Sequence, residues 1–212
     1  MIVNFIKNLV VHFIYASAVC CLWVGNAFSA QETIADSDES RIYGILIDAV
    51  SERPVGSWVM VGADTASFEC NPPAPIGINI DGCSGMRDSA ETPMERMAII
   101  RRDLPLVTDA LATEFLDKCK VSTKLTETIP TKATYHLWST TSELAKSLGT
   151  GNPEIAVFFS RVAFDGPRTT ALVYLGKVHW ANSKRSVGQY VVLKKVKNEW
   201  QPMGASAAWL FN

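Results

Sequence analysis

Arg161 is the residue whose surroundings most invite chemistry. It stands in the run Ile155-Ala156-Val157-Phe158-Phe159-Ser160-Arg161-Val162-Ala163-Phe164-Asp165, with aromatic side chains before and after it. A guanidinium in such a setting serves in one of two ways. It contacts an anion or carboxylate in a groove, or it forms half of an ion pair that ties a sheet to a helix. Tyr174, His179 and Trp180 lie in the next apolar run. Together with Arg161 they make the candidate ligand-binding set. Ser160, His179 and Asp165 have the side-chain types of a hydrolytic triad, but nothing in their spacing brings them together. No residue qualifies as catalytic on spacing alone.

Other chemistries find less support. Metal ligation needs converging His, Cys, Asp or Glu. Beyond residue 30 the histidines are His136 and His179, far apart and each in an apolar run. There is no HExxH, CxxC or phosphate-cradling loop. Gly149-Thr150-Gly151 lacks the further glycines and the lysine of such a loop and reads as a helix stop. GxSxG, the nucleophile elbow of acyl hydrolases, is also missing. The sequence therefore implies no metal and no cofactor. A net charge of -1 argues against nucleic acid as partner, since phosphate recognition relies on clustered Lys and Arg. The local clusters Lys184-Arg185 and Lys194, Lys195 and Lys197 read as a turn and a solvated strand face. Trp58, Trp138, Trp180, Trp200 and Trp209 could line a ligand cleft; aromatic core and edge packing is the plainer reading.

These residues must be positioned by the stretch 155–211, which reads as a four-stranded antiparallel meander. Strands at 155–165, 171–180, 188–197 and 200–211 are rich in β-branched and aromatic residues. Asp165-Gly166-Pro167-Arg168, Asn182-Ser183-Lys184-Arg185 and Lys197-Asn198-Glu199 supply the turns. Alternation places Phe158, Val162 and Phe164 on one face of the first strand, with Phe159 and Arg161 on the other. Leu172, Tyr174, Val178 and Trp180 share a face of the second, opposite Lys177 and His179. Pro202 has no N–H for a ladder, so the last strand either starts after it or lies at an edge.

The strings FFSRVAFDGPRTTALVYLGK and GQYVVLKKVKNEWQPM, with a final aromatic at Trp209, resemble a family of uncharacterised bacterial proteins. That family has the pattern FSRxxF, ALVYxG, GxYxxLxK and a late Trp. The resemblance covers residues 158–209, about a quarter of the chain, and runs on loosely upstream. Family members often carry glycine and cysteine pairs between the second and third strands. Here only Gly188 stands in that region, so no cysteine role carries over. The resemblance implies a fold and no activity.

Upstream, residues 1–30 read as a cleaved signal peptide: Lys7 is the sole charge, an apolar run follows, and Ala27 and Ser29 suit a cut near residue 30. The alternative is a retained anchor helix, since the run nears the ~20 residues a span needs. Residues 31–212 then form a single exported domain. Residues 31–40 read as a polar, acidic mature N-terminus, and Asp38 or Ser40 as the cap of an amphipathic helix over 41–52. A short strand follows at 58–62. Residues 63–92, with Pro72, Pro73, Pro75 and three glycines, read as a long loop. A Cys70–Cys83 disulfide is the first choice for pinning it, worth about 3 kcal/mol in the chain-entropy picture. Cys70–Cys119 and Cys83–Cys119 stay open. Cys119 is otherwise a buried, inert thiol, with a reactive thiol as the alternative. Helices are expected at 93–102 and 105–118, the second with a stripe of Leu106, Ala110, Leu111 and Phe115. A strand at 133–139 and a short helix at 141–148 complete the chain.

The expected fold is α+β, with N-terminal helices packed on one face of the C-terminal meander. Such a chain is expected to be an exported, periplasmic or secreted, non-catalytic binding or interaction module with a protein or small-molecule ligand. The alternative is an envelope hydrolase or ligand-processing enzyme with a cleft between sheet and helices.

Overall fold

The structure is a computed structural model, and it describes residues 36–51, 58–65, 93–126, 128–139, 143, 146, 155–179 and 186–210. The described residues all belong to one compact unit, Thr33–Asn212. The signal segment, Cys70, Cys83, Trp180 and most of the helix expected at 141–148 lie outside the described residues.

Helix α1 spans Ser37–Val50. Asp36 caps it, its carboxylate accepting from the Asp38 and Glu39 N–H groups at 2.9 and 3.4 Å. These are the donors that a helix start leaves without partners. Asp38 and Glu39 in the first turn also suit the helix dipole. The helix begins one turn before the expected Arg41, so residues read as an acidic tail are helical.

Strand β1 (Trp58–Gly62) follows, then α2 (Pro93–Asp103) and α3 (Asp109–Lys118). Thr108 caps α3, its hydroxyl accepting from the Leu111 N–H at 3.3 Å. The start expected at Pro105 is later because Pro105 and Leu106 form a turn. Leu106 is consequently exposed, as is Ala110, and the buried stripe of α3 is Leu111, Ala112 and Phe115. The remaining strands are β2 (Thr134–Trp138), β3 (Ile155–Phe159), β4 (Ala163–Phe164), β5 (Thr170–His179), β6 (Val187–Val196) and β7 (Glu199–Leu210).

The expected four-stranded antiparallel meander is overturned. The strands form one seven-stranded mixed sheet in the order β2-β1-β3-β5-β6-β7, with β4 also paired to β5. β1 runs parallel to both β2 and β3, while β3, β5, β6 and β7 are mutually antiparallel along the sheet. The physical reason is that β1 and β2 have no hairpin mate next to them in sequence. Their backbone groups are satisfied across long connections, which is how parallel strands pair. β7 begins before Pro202, and Pro202 is accommodated because β7 is an edge strand.

One-sided helices are overturned as well. On one face Ile42, Tyr43, Leu46 and Ile47 of α1 pack on Val59, Val157, Phe159, Val173 and Leu193. On the other, Met97, Ile100, Leu111 and Phe115 of α2 and α3 pack on Phe158, Leu172, Tyr174 and Val192. The fold is α+β with both faces of the sheet's centre covered. This explains why β3 is buried along its whole length: a strand covered on both faces reads as a continuous apolar run.

Two close approaches depend on glycine. A Cβ on Gly44 of α1 would collide with the Pro130 carbonyl oxygen, and one on Gly176 would enter the Phe158 ring lying across from it. Gly44→Ala is therefore expected to destabilise by about 1–3 kcal/mol, the usual cost of overpacking against backbone. A urea midpoint equal to that of the parent would contradict the seating of α1 against Pro130.

Candidate functional site

Between β3 and β4 the sheet breaks its rhythm. Phe159 pairs with Leu175, but Ala163 pairs with Leu172. Three residues, Ser160 to Val162, thus oppose Val173 and Tyr174, which is the count of a β-bulge. The extra residue shifts the parity of the strand. Val162 and Phe164 consequently fall on the α1 face with Phe159, and Phe158 faces α2 and α3. Strict alternation had put Phe158, Val162 and Phe164 together.

The bulge frees backbone groups, and a buried polar network takes them up. Ser160 N–H still bonds the Tyr174 carbonyl at 3.1 Å. In return the Tyr174 N–H donates to the Ser160 hydroxyl at 2.9 Å, and that hydroxyl donates to the Arg161 carbonyl at 2.9 Å. The Ser160 carbonyl turns to Tyr43, whose hydroxyl lies 2.9 Å from it and 2.7 Å from Glu39 Oε1. Glu39 Oε1 also accepts from Arg161 Nε at 3.0 Å and from the Val162 N–H at 2.8 Å. Arg161 Nη2 reaches Glu39 Oε2 at 3.3 Å, and Nη1 donates to the Thr123 hydroxyl at 2.9 Å. Glu39 is 1% exposed, Ser160 and Thr123 are fully buried, and Tyr43 is 1% exposed. Burial, and then the neighbouring Glu39 charge, pushes the Tyr43 phenol well above the usual 10.0. It therefore acts as a neutral donor.

A second polar group ties the start of α1 to the turn before β5 and to the end of β6. Arg168 pairs with Asp36 and stacks over the Phe164 ring at 3.9 Å, and Lys195 bonds Asp38 at 2.9 Å while lying over Trp200. Phe164 and Trp200 pack with ring centroids 5.6 Å apart. Burial pushes the Asp36 carboxyl up. Hydrogen bonds from Arg168 and from the Asp38 and Glu39 N–H groups, with the Arg168 charge, outweigh that and hold it below the ordinary 3.8. Asp38 is likewise lowered, burial being outweighed chiefly by Lys195. Arg168 itself adopts φ 56°, and the Asp165 carboxylate stabilises its turn by accepting from the Thr169 and Thr170 N–H groups.

The sequence-derived candidates do not converge. Arg161 is in the network on the α1 face. The Tyr174 ring is fully buried on the opposite face, between Phe158 and Tyr190. His179 is five residues further along β5, roughly 17 Å away at the rise of a strand. It is 7% exposed, pairs with Ile155, and its N–H donates to Ser186. Ser160, His179 and Asp165 are likewise apart, since Asp165 belongs to the turn. Cys119 is 3% exposed, within the core beneath α2 and α3.

What the sequence reading missed is Glu39. The available signal was Asp36-x-x-Glu39, a cap residue followed three positions later by an acid. Trp58 and Trp138, weighed in the sequence as cleft or edge aromatics, form a partly exposed aromatic group on the β1–β2 side of the sheet, and its inclusion of His136 was not foreseen. Trp58 packs edge-on against His136 at 4.6 Å, and Trp138 lies by Met60.

Among the described residues, no three His, Cys, Asp or Glu side chains could together hold a metal ion, and no helix is long and apolar enough to cross a membrane. No protein-family model, curated protein or solved structure matches this chain. The roles of these residues rest on their own geometry.

Glu39→Ala leaves the Arg161 charge without its carboxylate and the Val162 N–H without its acceptor, and is expected to cost about 3–5 kcal/mol in urea unfolding. Lys195→Ala, at a partly exposed pair, is expected to cost about 1 kcal/mol or less. Equal effects would contradict the ranking. The pH response follows from Asp36 and Asp38. Their folded pKa values lie below the unfolded 3.8, so their contribution is complete above that value and is lost as pH falls through the folded values. Asp38→Asn is expected to flatten this acid limb of the stability curve; an unchanged limb would remove Asp38 from the account.

Proposed function

We propose that this chain is an exported, non-catalytic binding or interaction module of the cell envelope or secreted space. The observation that carries this reading is the assignment of the sheet's most reactive-looking polar side chains to the fold itself. Glu39, Tyr43, Ser160 and Thr123 are buried and Arg161 is half-buried, and all are bonded to one another or to a strand backbone. A site for chemistry needs groups that converge on a reacting atom. Here they converge on a bulge. Contact with a partner then falls to side chains that the fold leaves accessible, of which Trp58 and His136 on adjacent strands are the most suited: aromatic groups with a polar tip are enriched in binding surfaces.

Export is tested by N-terminal sequencing of the protein recovered from envelope and medium fractions. The expected first residue is Ala30 or Gln31; a chain in the envelope fraction that still begins at Met1 would mean a retained anchor helix, and recovery of the chain from the cytoplasm alone would remove export from the proposal. The non-catalytic reading is tested with a panel of chromogenic esters, amides and glycosides. No turnover is expected. Turnover abolished by His179→Ala, with near-ultraviolet circular dichroism unchanged, would replace it with a hydrolytic one.

A further inference from the structure

We infer that the first turn of α1 is an ion-held strap: Asp36–Asp38 close onto the two cations that cover Phe164 and Trp200, and salt releases them while the rest of α1 stays seated. The division falls within a single turn. Asp36, Ser37 and Asp38 bring no apolar side chain to the domain, and none of the three is buried. Glu39, the next residue, is 1% exposed and holds Arg161 and the Val162 N–H. Ile42, Tyr43, Leu46 and Ile47 follow, all within the core. Burial therefore seats the helix from Glu39 onward, and charge seats what precedes it.

The ties of the strap are within reach of solvent ions. Arg168 pairs with Asp36 and approaches Asp38 at 4.0 Å, and Lys195 bonds Asp38 at 2.9 Å; the four side chains are between 14% and 42% exposed. The screening length falls from about 10 Å in 0.1 M salt to about 3 Å in 1 M, which weakens such pairs far more than the enclosed Glu39–Arg161 pair. The cations do not leave with the strap. Arg168 is stacked on Phe164 at 3.9 Å and Lys195 lies 5.3 Å over Trp200. Local opening of this kind begins where buried apolar contacts are few, and the hinge is set at Glu39, the first buried residue. Release shifts the joint between the domain and the residues that precede it from Asp36 to Glu39, adding about 10 Å of reach at the rise of an extended chain. It also bares two cations, each backed by an aromatic ring. Salt is a more selective agent here than acid. Acid acts on Asp165 as well, whose carboxylate holds the Arg168 turn through the Thr169 and Thr170 N–H groups.

The test is residue-resolved hydrogen exchange on the purified chain at fixed neutral pH, in about 0.05 M and about 1 M sodium chloride. The reporters are the Asp38, Glu39 and Ser40 N–H groups, all of which donate to Asp36. They are expected to exchange about three- to tenfold faster in the higher salt, the worth of two partly exposed pairs. N–H groups from Tyr43 to Ile47 are expected to keep their rates. The double variant Arg168→Gln with Lys195→Gln is expected to show the fast rates at both salt concentrations, with unchanged near-ultraviolet circular dichroism. The salt series on the unaltered chain decides by itself if that variant folds differently. Reporter rates indifferent to salt, an equal acceleration along the whole of α1, or a correctly folded double variant that keeps the salt response would each overturn the inference.

Discussion

A carboxylate removed from water is stable only if donors surround it, and Glu39 draws its donors from a strand that would otherwise be broken. The Val162 N–H, released from the ladder by the bulge, and the Arg161 guanidinium both reach it, with Tyr43 closing the group from α1. Each unsatisfied member would cost about 1–3 kcal/mol, more where charged. The bulge and the helix are therefore mutually dependent. Without α1 the bulge exposes orphaned backbone groups to an apolar core, and without the bulge Glu39 has no reason to be buried. The network is better described as fixing where α1 sits than as adding stability, since a buried ion pair often does little better than an apolar pair of the same size.

Around that fixed point the remaining forces are ordinary. Aliphatic and aromatic side chains fill both sides of β3, β5 and β6, and α1 on one face and α2 with α3 on the other exclude water from them. The ring of Asp36, Arg168, Asp38 and Lys195 around Phe164 and Trp200 holds the exposed end of α1. It is nearer to solvent than the Glu39 pair and more readily screened by salt. Two electrostatic groups on one helix thus answer to different conditions, the outer to pH and salt and the inner to packing.

The legibility of this architecture in the sequence follows its locality. Strands β5 and β6 and helix α2 were readable because their signals lie within their own residues: β-branched alternation, turn residues between strands, and Pro93 at a first helical position. β1 and β2 were legible as strands at 58–62 and 133–139, but their parallel pairing was not, since they pair across long connections that leave no turn signature. The acidic composition of residues 31–40 suggested a tail, although Asp36 and Glu39 already carried the spacing of a helix start. Arg161 was recognisable as either a ligand contact or a helix tie, and its bonds to Glu39 form such a tie. The bulge escaped notice because one inserted residue changes no composition, only the face on which Val162 and Phe164 emerge.

The span of the Glu39–Arg161 contact bears on how the chain acquires its shape. The two residues are 122 positions apart, and the sheet order interleaves early and late strands, with β1 lying between β2 and β3. Closing so long a loop must precede the contacts that repay it, and chains dominated by such contacts fold slowly. Glu39 of the first helix has no buried partner until the segment after β3 has been synthesised. Half a chain is consequently not half a fold: α1 waits, its acidic turn still hydrated, for a strand that arrives late.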